Sequence, residues 1–218
     1  MTDSNVFVHP LTDLPAGAEL RSVSAAPATI SGRDALHVEL TEEIAAHGQP
    51  DVDYVDMPTF VIVPVDFRLG TIEVDILARL TPTAPDYARA FASLAYHLTD
   101  HGDRFEAIYL RPLNGLRLNP PAPRHGRAVQ YFAYPDWKYQ RLRDEYPEGT
   151  FEAGADIGPD EWIHLRLDVT ESAVVATVNG VGVLRVDDVK APTTAGALGL
   201  FVDIGTEAHF SNLTVAPA

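Results

Sequence analysis

Three side chains in this sequence have the types and spacing for acid–base chemistry. His97 lies in the run Phe91 to Leu98 (FASLAYHL), and an imidazole can take a proton near neutral pH. Glu73 and Asp75 stand at i and i+2 in TIEVDILAR, so a strand presents both carboxylates on one face. Paired carboxylates are the working groups of most glycoside hydrolases. His97, Glu73 and Asp75 are therefore the catalytic candidates. The plainer readings are a packed histidine and a salt-bridged strand face that includes Arg79.

A second set has the character of a binding site. Tyr109 and Arg111 share a strand face, and a guanidinium fork beside an aromatic ring suits recognition of polyols or carboxylates. Asn114 falls in the turn that follows, and Gln130 shares a strand with Phe132 and Tyr134. Both amides can bind hydroxyls or satisfy loop backbone groups. Trp137 clusters with Tyr134, Tyr139 and Tyr146 as a stacking platform for a sugar face, or as anchors of their own loop.

Asp51, Asp53 and Asp56 form an acidic loop around Tyr54. Oxygen-rich loops bind calcium, so a structural calcium is the metal this loop raises, although the glycine and closing glutamate of an EF-hand are absent. No other cofactor is expected. Phosphate-cradling glycine loops, the Gly-x-Ser-x-Gly elbow and His-Glu-x-x-His are missing from the sequence. With no cysteine there is no thiolate nucleophile, disulfide or Cys-ligated zinc.

The formal charge of −15 disfavours nucleic acid and anionic membranes as partners and leaves neutral or cationic small molecules open. Met1 to Val6 has neither a basic region nor an apolar run of leader length, and no stretch reaches the roughly 18 apolar residues of a membrane span. The expectation is a cytoplasmic protein, or a secreted one if a leader has been trimmed.

The elements that must position these side chains read as strands. Thr71 to Arg79 alternates strictly, with Ile72, Val74, Ile76 and Ala78 on one face. Phe91 to Leu98 and Phe105 to Arg111 form a hairpin pair, and Ala128 to Tyr134 follows after a Pro/Gly-rich loop. Trp162 to Val169, Ala173 to Val178, Val181 to Val186, Ala197 to Val202 and Ala208 to Val215 close the chain, with a two-residue turn at Asn179-Gly180. Pro64 makes Phe60 to Val65 an edge strand or its end. Thr41 caps a helical turn or two through His47. Residues 135–160 read as a long loop over one rim or face. The 218 residues thus read as one all-β sandwich domain of two antiparallel sheets.

The strings GTIEVDILAR, FASLAYH, FEAIYLRPLNG and AVQYF, and then EWIHLRLDV, AVVATVNG, VLRVDDVK, GALGLFVD and AHFSNLTV, resemble successive strands of concanavalin A-like jelly rolls. The resemblance is to the bacterial 3-keto-disaccharide (3-keto-glycoside) hydrolase-like family, over Phe60 to Val215. This chain departs from the family at His97, where relatives carry Arg, and at Ser93, where they carry Gly. Leu77 and Ala78 stand where laminarinase-type glycosidases of this fold place their third carboxylate, which argues against that mechanism. The resemblance implies a carbohydrate-active protein: a hydrolase or lyase acting on a plain or 3-keto sugar in a concave-sheet cleft. Tyr109, Arg111, Asn114, Gln130 and Trp137 would hold the sugar there. A noncatalytic glycan-binding module and a cytoplasmic biosynthetic protein that binds a non-sugar small molecule are the alternatives. Oligomeric state is open.

Overall fold

Alternation in the sequence becomes two antiparallel sheets in the computed structural model, which describes residues 6–218. Residues 1–5, part of the stretch read for a leader, lie outside the described residues. In chain order the strands are β1 (Phe7–His9), β2 (Glu19–Arg21), β3 (Val23–Ile30), β4 (Arg33–Leu40), β5 (Phe60–Phe67), β6 (Gly70–Leu80), β7 (Ala92–Leu98) and β8 (Phe105–Leu110). They continue with β9 (Val129–Tyr134), β10 (Glu152–Ala153), β11 (Ile163–Val169), β12 (Val174–Val178), β13 (Val181–Val186), β14 (Gly196–Val202) and β15 (Thr206–Pro217). Two helices, α1 (Glu42–His47) and α2 (Tyr139–Glu145), complete the frame. One sheet runs β13-β12-β11-β6-β15-β4-β3, with β1 also on β15; the other runs β10-β9-β8-β7-β14-β5-β2. This is the expected jelly-roll sandwich.

The eight-stranded sheet follows the period-2 pattern closely. Ile72, Val74 and Ile76 on β6 and Ile163, Leu165 and Leu167 on β11 are fully buried, while the alternate positions carry charge. Asn179-Gly180 makes the β12–β13 turn with φ of 50° and 80°, the left-handed pair that such a hairpin requires. Thr41 caps α1, its Oγ1 accepting from the Ile44 amide. Pro64 is tolerated within β5 because β2 pairs only with Phe60 to Ile62, so β5 is an edge where the proline stands.

The seven-stranded sheet is buried on both faces through β7, β8 and β9. One face is largely aliphatic, with Leu94, Ile108, Leu110, Val129 and Leu200; the other is aromatic, with Phe60, Phe105, Phe132 and Phe201 meeting edge to face. The segment expected to be a loop at 135–160 instead contains α2 and β10. Lys138 provides no side-chain cap and Leu142 is the only buried residue of α2, so the helix lacks the apolar repeat that would announce it.

Between two 3-10 turns, Pro112–Asn114 and Leu116–Leu118, Gly115 meets the strap that leads to β11. A Cβ on Gly115 would lie 1.7 Å from the Ile157 carbonyl oxygen. Gly115→Ala is therefore expected to cost about 2–3 kcal/mol by overpacking, visible as a lower urea midpoint. An unchanged midpoint would contradict this packing.

Candidate functional site

The aromatic face of the seven-stranded sheet ends in a cleft. Phe91 and Tyr109 stand edge to face in its floor, 6.1 Å between ring centroids, with Arg111 beyond the end of β8. Residues 50–56, 87–91 and 124–127 form its walls with α2, and the cavity is about 410 Å³. Five of the chain's sixteen basic side chains line it: Arg89, Arg111, Arg124, Arg127 and Arg143.

These arginines divide by employment. Arg111 is buried and saturated. Its Nη1 donates to Glu152 (2.8 Å) and to the Arg127 carbonyl (3.2 Å), and its Nη2 donates to the Tyr109 hydroxyl (2.6 Å) and to Gln130 Oε1. Glu152 also accepts from Arg143 at 2.6 Å and lies 3.3 Å from Arg127. Burial works against its ionised form, yet Arg143 and Arg111 hold its carboxyl below the usual range. Arg89 and Arg124 pair with no carboxylate among the described residues; Arg89 donates only to the Asp86 and Ala88 carbonyls. Burial lowers the pKa of Arg89, and Arg124 and Arg111 lower it further. Burial and then Arg143 do the same to Arg127. Cations that disfavour one another's charge create a field that an anion relieves.

Asp56 is the titratable group of this cleft with the largest consequence. Burial pushes its carboxyl up to about 7, with Asp203 adding to the rise, against the opposing pull of the Tyr139 amide, Arg111 and Lys138. Oδ2 accepts from the Tyr139 amide at 2.8 Å, and Oδ1 has no donor among the described residues. The backbone beneath it is left-handed at both Val55 (φ 71°) and Asp56 (φ 55°), which is costly for a β-branched residue. Asp203 clamps this turn. Its carboxylate accepts from the amides of Val55 (3.0 Å), Asp56 (3.0 Å) and Ile204 (2.6 Å). Burial raises the pKa of Asp203 as well.

The candidates named from sequence are distributed over several places. Tyr109, Arg111 and Asn114 line the cleft together, and Asn114 is buried with Oδ1 unpartnered. Gln130 is fully buried behind Arg111, so it holds the guanidinium and does not face the cavity. Trp137 belongs to a separate hollow of about 110 Å³, where His97 also lies, and is stacked between Arg141 and Lys190.

The catalytic candidates His97, Glu73 and Asp75 are not brought together with Arg111. His97 adopts φ 57° at an irregularity of β7 and is buried, with Nδ1 2.8 Å from Glu106 and Nε2 2.7 Å from the Arg68 carbonyl. Glu73 and Asp75 belong to the charged face of the other sheet. There Glu73 pairs with Arg166, and Asp75 receives Arg33, His164 and Asn212 at 2.8–2.9 Å. The acidic loop also separates: Asp51 pairs with Lys138, Asp53 accepts from the Gln49 amide, and Asp56 turns into the cleft.

Sequence reading missed Arg89, Arg124, Arg127, Arg143 and the acid–base character of Asp56. Two of these arginines lie in Pro/Gly-rich turns and one in an unannounced helix, so no periodicity marked them. A second groove, of about 730 Å³, adjoins the cleft at Tyr87 and Ile204 and carries Glu39, Glu42 and Glu207.

No family model matches the chain, and no curated protein matches its sequence. Solved structures do. The carbohydrate-binding module CBM66 from Bacillus subtilis superposes with a TM-score of 0.54 at 12% identity, covering 89% of this chain and 95% of that one. A Bacillus subtilis protein of unknown function with a galectin-like fold gives 0.56 at 14% identity, covering 96% and 94%. The Crh5 transglycosylase, solved with NAG, gives 0.55 at 11% identity, covering 98% and 84%. The architecture is a jelly-roll sandwich with the galectin-like fold of these neighbours. At these identities the likeness establishes fold, and the chemistry of the cleft has to be argued from its own residues.

Proposed function

We propose that this protein recognises an acidic saccharide, a sugar bearing a carboxylate, in the cleft of Tyr109 and Arg111. The observation that carries the reading is the convergence of five arginines around an aromatic floor in a chain of formal charge −15. Net charge pointed to neutral or cationic ligands, but basic side chains outnumber acidic ones in the cleft lining, five against Asp51, Asp56 and Asp203. Guanidinium forks match a carboxylate with paired hydrogen bonds, and an aromatic floor suits the apolar face of a pyranose ring. Arg124 and Arg89 are the arms free to meet the anion, while Arg111 holds the floor. The saccharide half of the proposal draws on the fold, which CBM66 and the NAG-bound transglycosylase share.

Titration calorimetry against uronic-acid oligosaccharides, neutral glucans and plain dicarboxylates tests this. Arg124→Ala is expected to weaken uronate binding about 10–100-fold, the range of a charge-assisted contact, and binding is expected to fall with salt. Equal binding of neutral glucans would overturn the acidic part of the reading. Equal binding of plain dicarboxylates would move the ligand outside the sugars.

Asp56 favours a catalytic version of the same site. A carboxyl titrating near 7 beside cations is suited to removing a proton from carbon next to a carbonyl. In an elimination, Asp56 would take the α proton, the electron pair would form the C=C bond, and the β C–O bond would break. The departing oxygen would then be protonated from water. A uronate carboxylate and a 3-keto group each acidify that C–H, and the arginines would hold the developing oxyanion in either case. A 3-keto glycoside, the substrate class implied by the strand motifs, therefore belongs in the turnover screen beside uronates. Binding without turnover on either would favour the noncatalytic module.

A further inference from the structure

On the outer face of the eight-stranded sheet, far in sequence from the cleft's arginines, His37 of β4 stands directly opposite His209 of β15. Glu207 lies two residues before His209 and so shares its face. One donor atom from each of the three residues lies within 4.8 Å of the others. Glu207 Oε1 is 3.8 Å from His37 Nε2 and 3.9 Å from His209 Nε2, and the two imidazole centroids are 4.9 Å apart.

We infer that His37, Glu207 and His209 bind a divalent transition-metal ion of the zinc class. A tetrahedral ion with bonds of ~2.0–2.1 Å holds its donors about 3.4 Å apart. The two carboxylate–imidazole separations, 3.8 and 3.9 Å, are within about half an ångström of that, and the third is no more than 4.8 Å. Two imidazoles and one carboxylate form a borderline donor set that selects zinc, cobalt, nickel or copper over calcium and magnesium.

Three further features support the assignment. The buried ring nitrogen His37 Nε2 has no hydrogen-bond partner among the described residues, an expensive condition that a metal ion relieves. His209 is buried and its ring lies against that of His37, so packing holds both donors in place. Arg79 donates to Glu207 Oε1 at 2.7 Å and orients the carboxylate, as outer partners of metal ligands do. Its charge also opposes the ion, which sets the expected affinity in the micromolar range. Glu207 also lines the acidic groove together with Glu39. The site is distinct from the Arg111 cleft and stands independently of the saccharide proposal.

The test is calorimetry and thermal melting of untagged, EDTA-treated protein with zinc and, separately, calcium. One zinc per chain, a higher melting temperature with zinc and none with calcium are expected. His37→Gln should weaken zinc binding at least about tenfold while leaving the melting temperature in EDTA unchanged, because His37 is only partly buried and glutamine keeps a polar side chain there. His209→Gln should do the same; if it fails to fold, His37→Gln decides. His101→Gln, on an exposed turn, should retain wild-type zinc binding. Unchanged zinc affinity in His37→Gln, or calcium binding as tight as zinc, would sink the assignment, as would no heat of binding at 100-fold zinc excess.

Discussion

Asp203→Ala is expected to destabilise the protein by about 4 kcal/mol and to abolish ligand binding in the Arg111 cleft. The Asp203 carboxylate is buried and accepts three backbone amides, those of Val55, Asp56 and Ile204. Each donor left unpaired costs about 1–3 kcal/mol. Relief of the left-handed backbone at Val55 and Asp56 returns part of this, because such residues store about 1–3 kcal/mol each. The remainder matches the loss expected when a buried network is broken. For a chain of this length it corresponds to a melting temperature lower by roughly 8–16 °C. Binding goes with it, since Asp203 fixes the backbone of the turn that presents Asp56 and one wall of the cleft. Asp203→Asn keeps one accepting oxygen and should lose less. A urea midpoint for Asp203→Ala within 1 kcal/mol of wild type would show that the turn holds itself.

Asp56→Asn should act in the opposite direction on stability and remove any turnover. The folded carboxyl titrates at about 7, above its ordinary value of 3.8. Between those pH values the folded chain retains a proton that the unfolded chain has lost. Stability therefore falls as pH rises through this window, and above pH 7 the full cost, about 4 kcal/mol, is in place. Asparagine keeps an oxygen for the Tyr139 amide and carries no charge. The variant should match wild type near pH 4 and exceed it by about 3 kcal/mol at pH 8, a melting temperature higher by roughly 6–12 °C. If Asp56 is the base, turnover falls by about 10²–10⁴-fold while uronate binding is kept or tightened, because a negative charge has left the cleft. Melting curves at the two pH values check the first half. A variant less stable than wild type at pH 8 would show that Asp56 is ionised without cost. Greater stability at the expense of activity is a common signature of functional residues.

The legibility of this molecule differs between its scaffold and its site. The alternating residues of β6 and β11 and the Asn179-Gly180 turn state their structure locally, because strand parity and turn chemistry are short-range. Tyr109, Arg111 and Asn114 were readable as a group for the same reason: six consecutive residues carry them off the end of one strand into one turn. The packed-histidine reading of His97 agrees with its burial, while the left-handed kink that turns it to Glu106 has no local signal in the sequence. Glu73 and Asp75 do share a face, as their spacing required, but spacing does not say which face holds the cleft.

The sequence by itself determined an all-β sandwich, its main hairpins and the aromatic–arginine corner at Tyr109 and Arg111. These follow from periodicity and from neighbours in the chain. Only the tertiary structure gathered the arginines of the cleft and buried Asp56 among them. Arg89, Arg124 and Arg143 come from three separate connections, and Asp56 titrates near 7 because Asp203, Tyr139 and the surrounding burial converge on it. Coulomb fields and desolvation depend on distance in space, so a chain with a formal charge of −15 can still close around a cationic site.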